Sequence, residues 1–158
     1  GDQGVTPGTY VDMVGFGNSE SIGVALGDLD GDGDLDAWVA NSDNQANRVW
    51  INQGGDQGGT PGTYADSAQA LGNSGSKGVA LGDLDGDGDL DAWVANSPQA
   101  NRVWINQGGA QLGTLGTYAD SGQALGNSNS REVSLGDLDG DGDLDVWFAN
   151  DSTPPTRM

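Results

Sequence analysis

The chain has neither cysteine nor histidine. Without cysteine there can be no disulfide framework and no thiolate metal site, and without either residue no Ser-His-Asp or Cys-His arrangement can be assembled. Basic residues are almost as scarce: five Lys and Arg stand against 24 Asp and Glu, a formal net charge of −19. No Lys/Arg cluster offsets that balance, which argues against nucleic acid or an anionic membrane surface as partner. No apolar run approaches the ~20 residues of a membrane span, so membrane insertion is not expected, and no signal peptide is visible at Gly1. Glutamate is limited to Glu20 and Glu132, so a carboxylate pair for glycoside hydrolysis would have to be drawn from aspartates that periodicity assigns elsewhere.

What the chain has in abundance is glycine, 29 of 158 residues, and aspartate. The two meet in Gly27-Asp28-Leu29-Asp30-Gly31-Asp32-Gly33-Asp34-Leu35-Asp36, which recurs unchanged from Gly82 to Asp91 and from Gly136 to Asp145. Five carboxylates at alternate positions repel one another strongly unless a cation neutralises them. Glycines between the middle ones permit backbone angles that turn the intervening side chains inward around one ion. The donors are hard oxygens, which suit calcium and disfavour zinc or copper.

By analogy with oxygen-ligand loops of one-three-five-seven-nine spacing, Asp28, Asp30, Asp32 and Asp36 are assigned as side-chain ligands and Asp34 as a main-chain carbonyl ligand. The same roles pass to Asp83, Asp85, Asp87 and Asp91 with Asp89, and to Asp137, Asp139, Asp141 and Asp145 with Asp143. About three Ca2+ ions are thus expected, one per loop. An EF-hand is not expected: the glycine at loop position 6 is present, but Val39, Val94 and Phe148 stand where it needs a bidentate Glu, and flanking helices are missing. The plain alternative is a solvated acidic turn, against which stands the triple recurrence at fixed spacing. Three divalent ions, carrying six positive charges between them, would leave a net charge of about −13. Weak, structural calcium sites work where calcium is plentiful, which favours an extracellular or periplasmic location.

The loops belong to a repeat of about 54 residues. Repeat one runs from Gly1 to Gly54, repeat two from Gly55 to Gly108, and repeat three, incomplete, from Gly109 to Met158, within one repeat domain. Four short strands per unit are predicted; in repeat two they are about Gly62 to Leu71, Gly78 to Leu84, Asp91 to Asn96 and Asn101 to Asn106, with the acidic loop between the second and third. Val79-Ala80-Leu81, Ala92-Trp93-Val94 and Val103-Trp104-Ile105 are β-prone triplets bounded by turn residues, and no helical period is present. The fold class is all-β: three tandem four-stranded repeats of the β-propeller blade type.

The run Gly-Val-Ala-Leu-Gly-Asp-Leu-Asp-Gly-Asp-Gly-Asp-Leu-Asp-Ala-Trp-Val-Ala-Asn, followed by Asn-Arg-Val-Trp-Ile-Asn, resembles the FG-GAP or VCBS repeat family along essentially the whole chain. Phe16-Gly17 resembles its Phe-Gly element, replaced by Leu71-Gly72 and Leu125-Gly126 in the later repeats. The resemblance implies integrin-alpha-like propeller blades with calcium between adjacent strands of a blade. It also implies secreted or surface proteins in which such repeats are ligand-binding or adhesion modules, or accessory domains of carbohydrate-active enzymes.

Closed propellers generally have four or more blades, whereas the chain holds three units, so open edges and faces are expected to be met by a homo-oligomer or by neighbouring repeats of one array. Trp38, Trp50, Trp93, Trp104 and Trp147 recur in register; packing is the expected role, with platforms for sugar rings as the alternative. Arg48 and Arg102 are expected to stack on these rings or pair with a loop carboxylate. Tyr10, Tyr64 and Tyr118 are expected to anchor the first strand with the hydroxyl at a wet edge, and Asp12, Asp66 and Asp120 to be solvated. Asn150-Asp151-Ser152 is formally a glycosylation sequon. The resulting expectation is a non-enzymatic, calcium-stabilised extracellular structural, adhesion or binding module, with carbohydrate or protein as ligand classes. The alternative is an accessory portion of a larger secreted enzyme.

Overall fold

The computed structural model describes residues 17, 19–126 and 129–151. They form antiparallel strands and turns, with two short 3-10 turns, Gly55–Gln57 and Gly109–Gln111, and no α-helix. The first sheet contains β1 (Ser21–Gly27), β2 (Asp36–Asn41), β3 (Arg48–Asn52) and β4 (Tyr64–Asp66), in that order. The second repeats it with β5 (Ser76–Gly82), β6 (Asp91–Asn96), β7 (Arg102–Asn106) and β8 (Tyr118–Asp120). A third, two-stranded sheet pairs β9 (Asn129–Gly136) with β10 (Asp145–Asp151). All-β, propeller-type sheets are therefore present, and no closed propeller is formed by the described residues.

The hydrogen-bonded sheets are out of phase with the sequence units. The strand predicted from Gly62 to Leu71 is only Tyr64–Asp66, and it pairs with β3 of the preceding unit: Trp50 faces Asp66 and Asn52 faces Tyr64. Leu71 makes a separate bridge to Asn47. The acidic loop joins the two strands predicted to flank it, which are the first and second of each hydrogen-bonded sheet.

Alternation along the strands sorts side chains between the two faces of each sheet. On β1 the small residues Gly23, Ala25 and Gly27 lie with Ala40 and Trp38 of β2 on the face toward the second sheet. Val24 and Leu26 pair with Val39 and Ala37 on the opposite face. Glycine at 23, where backbone meets backbone, is what lets the sheets close up, and at Gly27 a side chain would have to displace the Leu90 and Leu81 methyls. A methyl at Gly23 would sit 3.1 Å from Gly78 Cα, and one at Gly27 2.6 Å from Leu90 Cδ1. The arrangement recurs one sheet on, with Gly78 3.1 Å from Glu132 Cα and Gly82 2.6 Å from Leu144 Cδ1 on the same measure.

The main core lies between the first two sheets and comprises Leu29, Trp38, Ala40, Val49, Leu71, Ala92, Val94, Trp104 and Tyr118. Tyr118 meets Trp38 edge to face across the two sheets, with ring centroids 6.3 Å apart at 88°. Packing is thus the role of Trp38 and Trp104, whereas Trp147 on the third sheet is exposed. The Tyr118 hydroxyl is not at a wet edge. It donates to Leu90 O at 2.7 Å, and Tyr64 makes the matching bond to Leu35 O at 3.0 Å, so both rings tie the outer strand to an acidic loop. Burial, then the nearby carboxylates, raise the Tyr118 ionisation and keep its O–H in place as a donor. Asp66 and Asp120 are not simply solvated either. Each pairs with an arginine of the neighbouring strand, two residues before the tryptophan it faces, Arg48 at 3.9 Å and Arg102 at 3.6 Å, so these cations serve the outer strands and not the acidic loops. Tyr10, Asp12, Phe16 and Ser152 lie outside the described residues.

Candidate metal centre

Each acidic loop is a hairpin connection whose own carboxylates replace a strand ladder. Asp28 accepts from Gly31 N (2.8 Å) and Gly33 N (3.0 Å), and Asp32 Oδ1 accepts from Asp34 N at 2.8 Å. Asp83 likewise accepts from Gly86, Asp87 and Gly88, and Asp137 from Gly140 and Gly142. The glycines of the first loop adopt positive φ, +79° at Gly31 and +91° at Gly33, which side chains would resist. Asp36 closes the neck: Oδ2 accepts from Leu29 N at 2.9 Å and Oδ1 from Asn52 N at 2.8 Å. Asp91 does the same with Leu84 and Asn106, and Asp145 with Leu138.

The folding brings three carboxylates together in every loop: Asp28, Asp30 and Asp32; Asp83, Asp85 and Asp91; Asp137, Asp139 and Asp145. In each group one oxygen per residue lies within 4.8 Å of the others. Asp87 and Asp141 hold the residue two positions on, through Asp89 N and Asp143 N, as Asp32 holds Asp34. The side-chain oxygens of Asp34 and Asp89 face Gly54 and Gly108 of the strand connection that follows β3 or β7, beside those of Asp32 and Asp87 at Gly55 and Gly109.

Several of these oxygens are buried with no hydrogen-bond partner: Asp30 Oδ1, Asp32 Oδ2, Asp34 Oδ2 and Asp89 Oδ2. A buried, unpaired anionic oxygen is costly, and clustered ones still more so. The strain shows in acidity. Burial first, then the neighbouring Asp36 and Asp32 carboxylates, pushes Asp30 up to about 6. Burial, followed by repulsion from Asp85 and Asp87, pushes Asp91 up to about 6 against the pull of its two backbone hydrogen bonds. Asp36 and Asp89 are raised for the same leading reason. An all-oxygen, anionic donor set with orphaned buried atoms fits a hard divalent cation such as calcium, which would supply the missing positive charge.

A second element of the site is the Gly-Gly turn, which the sequence reading passed over. A methyl at Gly54 would sit 1.9 Å from Asp34 Oδ2, and one at Gly55 2.4 Å from Asp32 Oδ2; Gly108 and Gly109 meet Asp89 and Asp87 in the same way. The signal was present as Gln53-Gly54-Gly55-Asp56-Gln57 and Gln107-Gly108-Gly109-Ala110-Gln111, the same spacing after each third strand.

No curated protein matches the chain. The profile of the FG-GAP-like repeat matches residues 28–94 and again residues 83–148. Each matched stretch opens on the first aspartate of one acidic loop and runs through the next loop into the strand beyond it. Together they take in most of the sequence and all three loops, and the chain belongs to the FG-GAP-like repeat family.

Proposed function

We propose that the chain is a non-enzymatic, extracellular structural, adhesion or binding module whose sheets are stabilised by calcium. The carrying observation is the set of buried carboxylate oxygens without partners in the acidic loops. Asp28, Asp30 and Asp32, and in the later loops Asp83, Asp85 and Asp91 and Asp137, Asp139 and Asp145, would hold the ion, and the ion would supply charge neutralisation to a connection that otherwise repels itself. Ion binding then contributes directly to folding free energy. No helix among the described residues is long and apolar enough to cross a membrane.

Neighbouring sheets are the partners this reading favours, from a second copy or from further repeats of one array. Val24, Leu26 and Leu35 are exposed on the first sheet, whereas the matching Val79, Leu81 and Leu90 pack against the core from the second. Leu138 and Trp147 are exposed at the other end, where Leu29 and Trp38 are buried. Glu132 occupies the position of Gly23 and Gly78 on the third sheet, so a partner there must accommodate a carboxylate.

The test is thermal unfolding followed by circular dichroism, with sedimentation of the same samples, in calcium and in excess chelator. Calcium should raise the melting temperature and be lost to the chelator reversibly. A melting curve indifferent to both would overturn the reading.

A further inference from the structure

Two glutamines occupy matching places beside the acidic loops. Gln57 and Gln111 each end a 3-10 turn, and each amide Nε2 donates to Oδ2 of the second loop aspartate, at 2.5 Å to Asp30 and 2.5 Å to Asp85. The bond reaches across 27 residues in one case and 26 in the other, so it is made by the sheet and not by local chain geometry. The residue before the glutamine differs, Asp56 against Ala110, yet the contact is the same. At Asp30 the other oxygen, Oδ1, is buried with no donor. One oxygen is held by an amide while its twin is left for something else.

We propose that Gln57 and Gln111 are positioning residues for the cation: each amide N–H holds the outer oxygen of Asp30 or Asp85 so that the inner oxygen is presented to the ion. The inference rests on the calcium reading above. Partners of this kind fix the orientation of a ligating carboxylate and commonly change metal affinity about 10- to 100-fold when removed. Asp139, the corresponding residue of the third loop, has no glutamine beside it among the described residues. An amide can also present its oxygen, and Gln111 Oε1 is buried without a partner. The two roles differ in sign on substitution by glutamate, which keeps the oxygen and removes the donor.

The experiment is calcium titration by calorimetry on the full chain with the second and third loops disabled by Asp83→Asn, Asp85→Asn, Asp137→Asn and Asp139→Asn. Gln57→Leu should weaken binding to the first loop about 10-fold. Gln57→Glu should weaken it at least as much, because it sets a like charge against Asp30. Should the disabled chain fold poorly, the same variants in the chain with all loops intact serve. There Gln57→Leu should lower the melting temperature in calcium by more than it lowers it in chelator, so that the calcium-induced rise shrinks. Unaltered affinity in Gln57→Leu, or tighter binding in Gln57→Glu, overturns the positioning role while the calcium reading stands. A parent first loop that binds no calcium overturns both.

Discussion

The first and third acidic loops have the same ten residues and different surroundings. Asp28, Asp30 and Asp32 are each partly buried, whereas Asp137, Asp139 and Asp145 are not covered to the same degree, the first two being exposed. What covers the first loop comes from the second sheet. Leu115 Cδ2 would lie 2.6 Å from a methyl at Gly31, Gly116 packs on Asp30, and Asn106 Nδ2 donates to Leu29 O at 3.0 Å. The tryptophans follow the same rule: Trp38 is 0% exposed and Trp147 is 71% exposed, although both sit one residue after the same pairing position. A repeat therefore acquires its stability from the next repeat, as nearest-neighbour coupling in stacked units requires.

The largest test of this contrast is a pair of truncations. Trp38→Ala should cost about 3–5 kcal/mol through lost burial and a cavity, and Trp147→Ala less than about 1 kcal/mol, read by denaturant unfolding. Equal costs would mean that the third sheet is covered in solution. Next in size is the removal of a ligand. Asp30→Ala should forfeit roughly 2.7 kcal/mol at calcium about 100 times the dissociation constant, and Asp139→Ala less, because its loop is less enclosed. In chelator the sign should reverse, Asp30→Ala being neutral or stabilising, since it removes a repelled carboxylate.

Gly116→Ala sharpens the comparison from the other side. Gly116 has φ +80°, and a methyl there would meet Asp30 Cβ at 3.1 Å, so the change should cost about 1–2 kcal/mol and weaken calcium binding at the first loop alone. Calorimetry showing equal weakening at the third loop would refute that path.

Acidity gives a smaller, signed effect. Asp30 and Asp91 are raised from 3.8 to about 6, so the folded chain binds their protons more tightly than the unfolded one. Their destabilisation is complete above about pH 6 and absent below 3.8. The melting temperature in chelator should therefore rise on acidification from pH 7 toward 5. In calcium it should fall, because the ion must displace those protons. The smallest effect is expected from Arg102→Ala, whose half-exposed pair with Asp120 is worth about 0–1 kcal/mol by thermal unfolding.

Legibility followed the range of each interaction. The acidic loops were readable because alternation, glycine placement and recurrence are local, and strands such as β6 (Asp91–Asn96) emerged with their predicted bounds for the same reason. The outer strands were misplaced because Tyr64-Ala65-Asp66 has no strong pattern of its own and takes its partner, β3, from the unit before it. Gln57 was passed over because its importance depends on a contact 27 residues away. The Tyr118 hydroxyl was set at a wet edge because nothing near it in sequence announces Leu90 O; the exposed bond of Tyr64 to Leu35 O leaves that hydroxyl where it was expected.

Sequence alone determined the chemistry of the chain: hard oxygen donors in triplicate, no residue types for thiol or imidazole catalysis, and short strands with a period near 54 residues. Those properties follow from residue type and spacing, which no packing can alter. Tertiary structure alone decided which copies of an identical loop are enclosed, which tryptophans are core, and where each sheet ends. These depend on what the next sheet brings into contact, and desolvation, unlike composition, is set by neighbours.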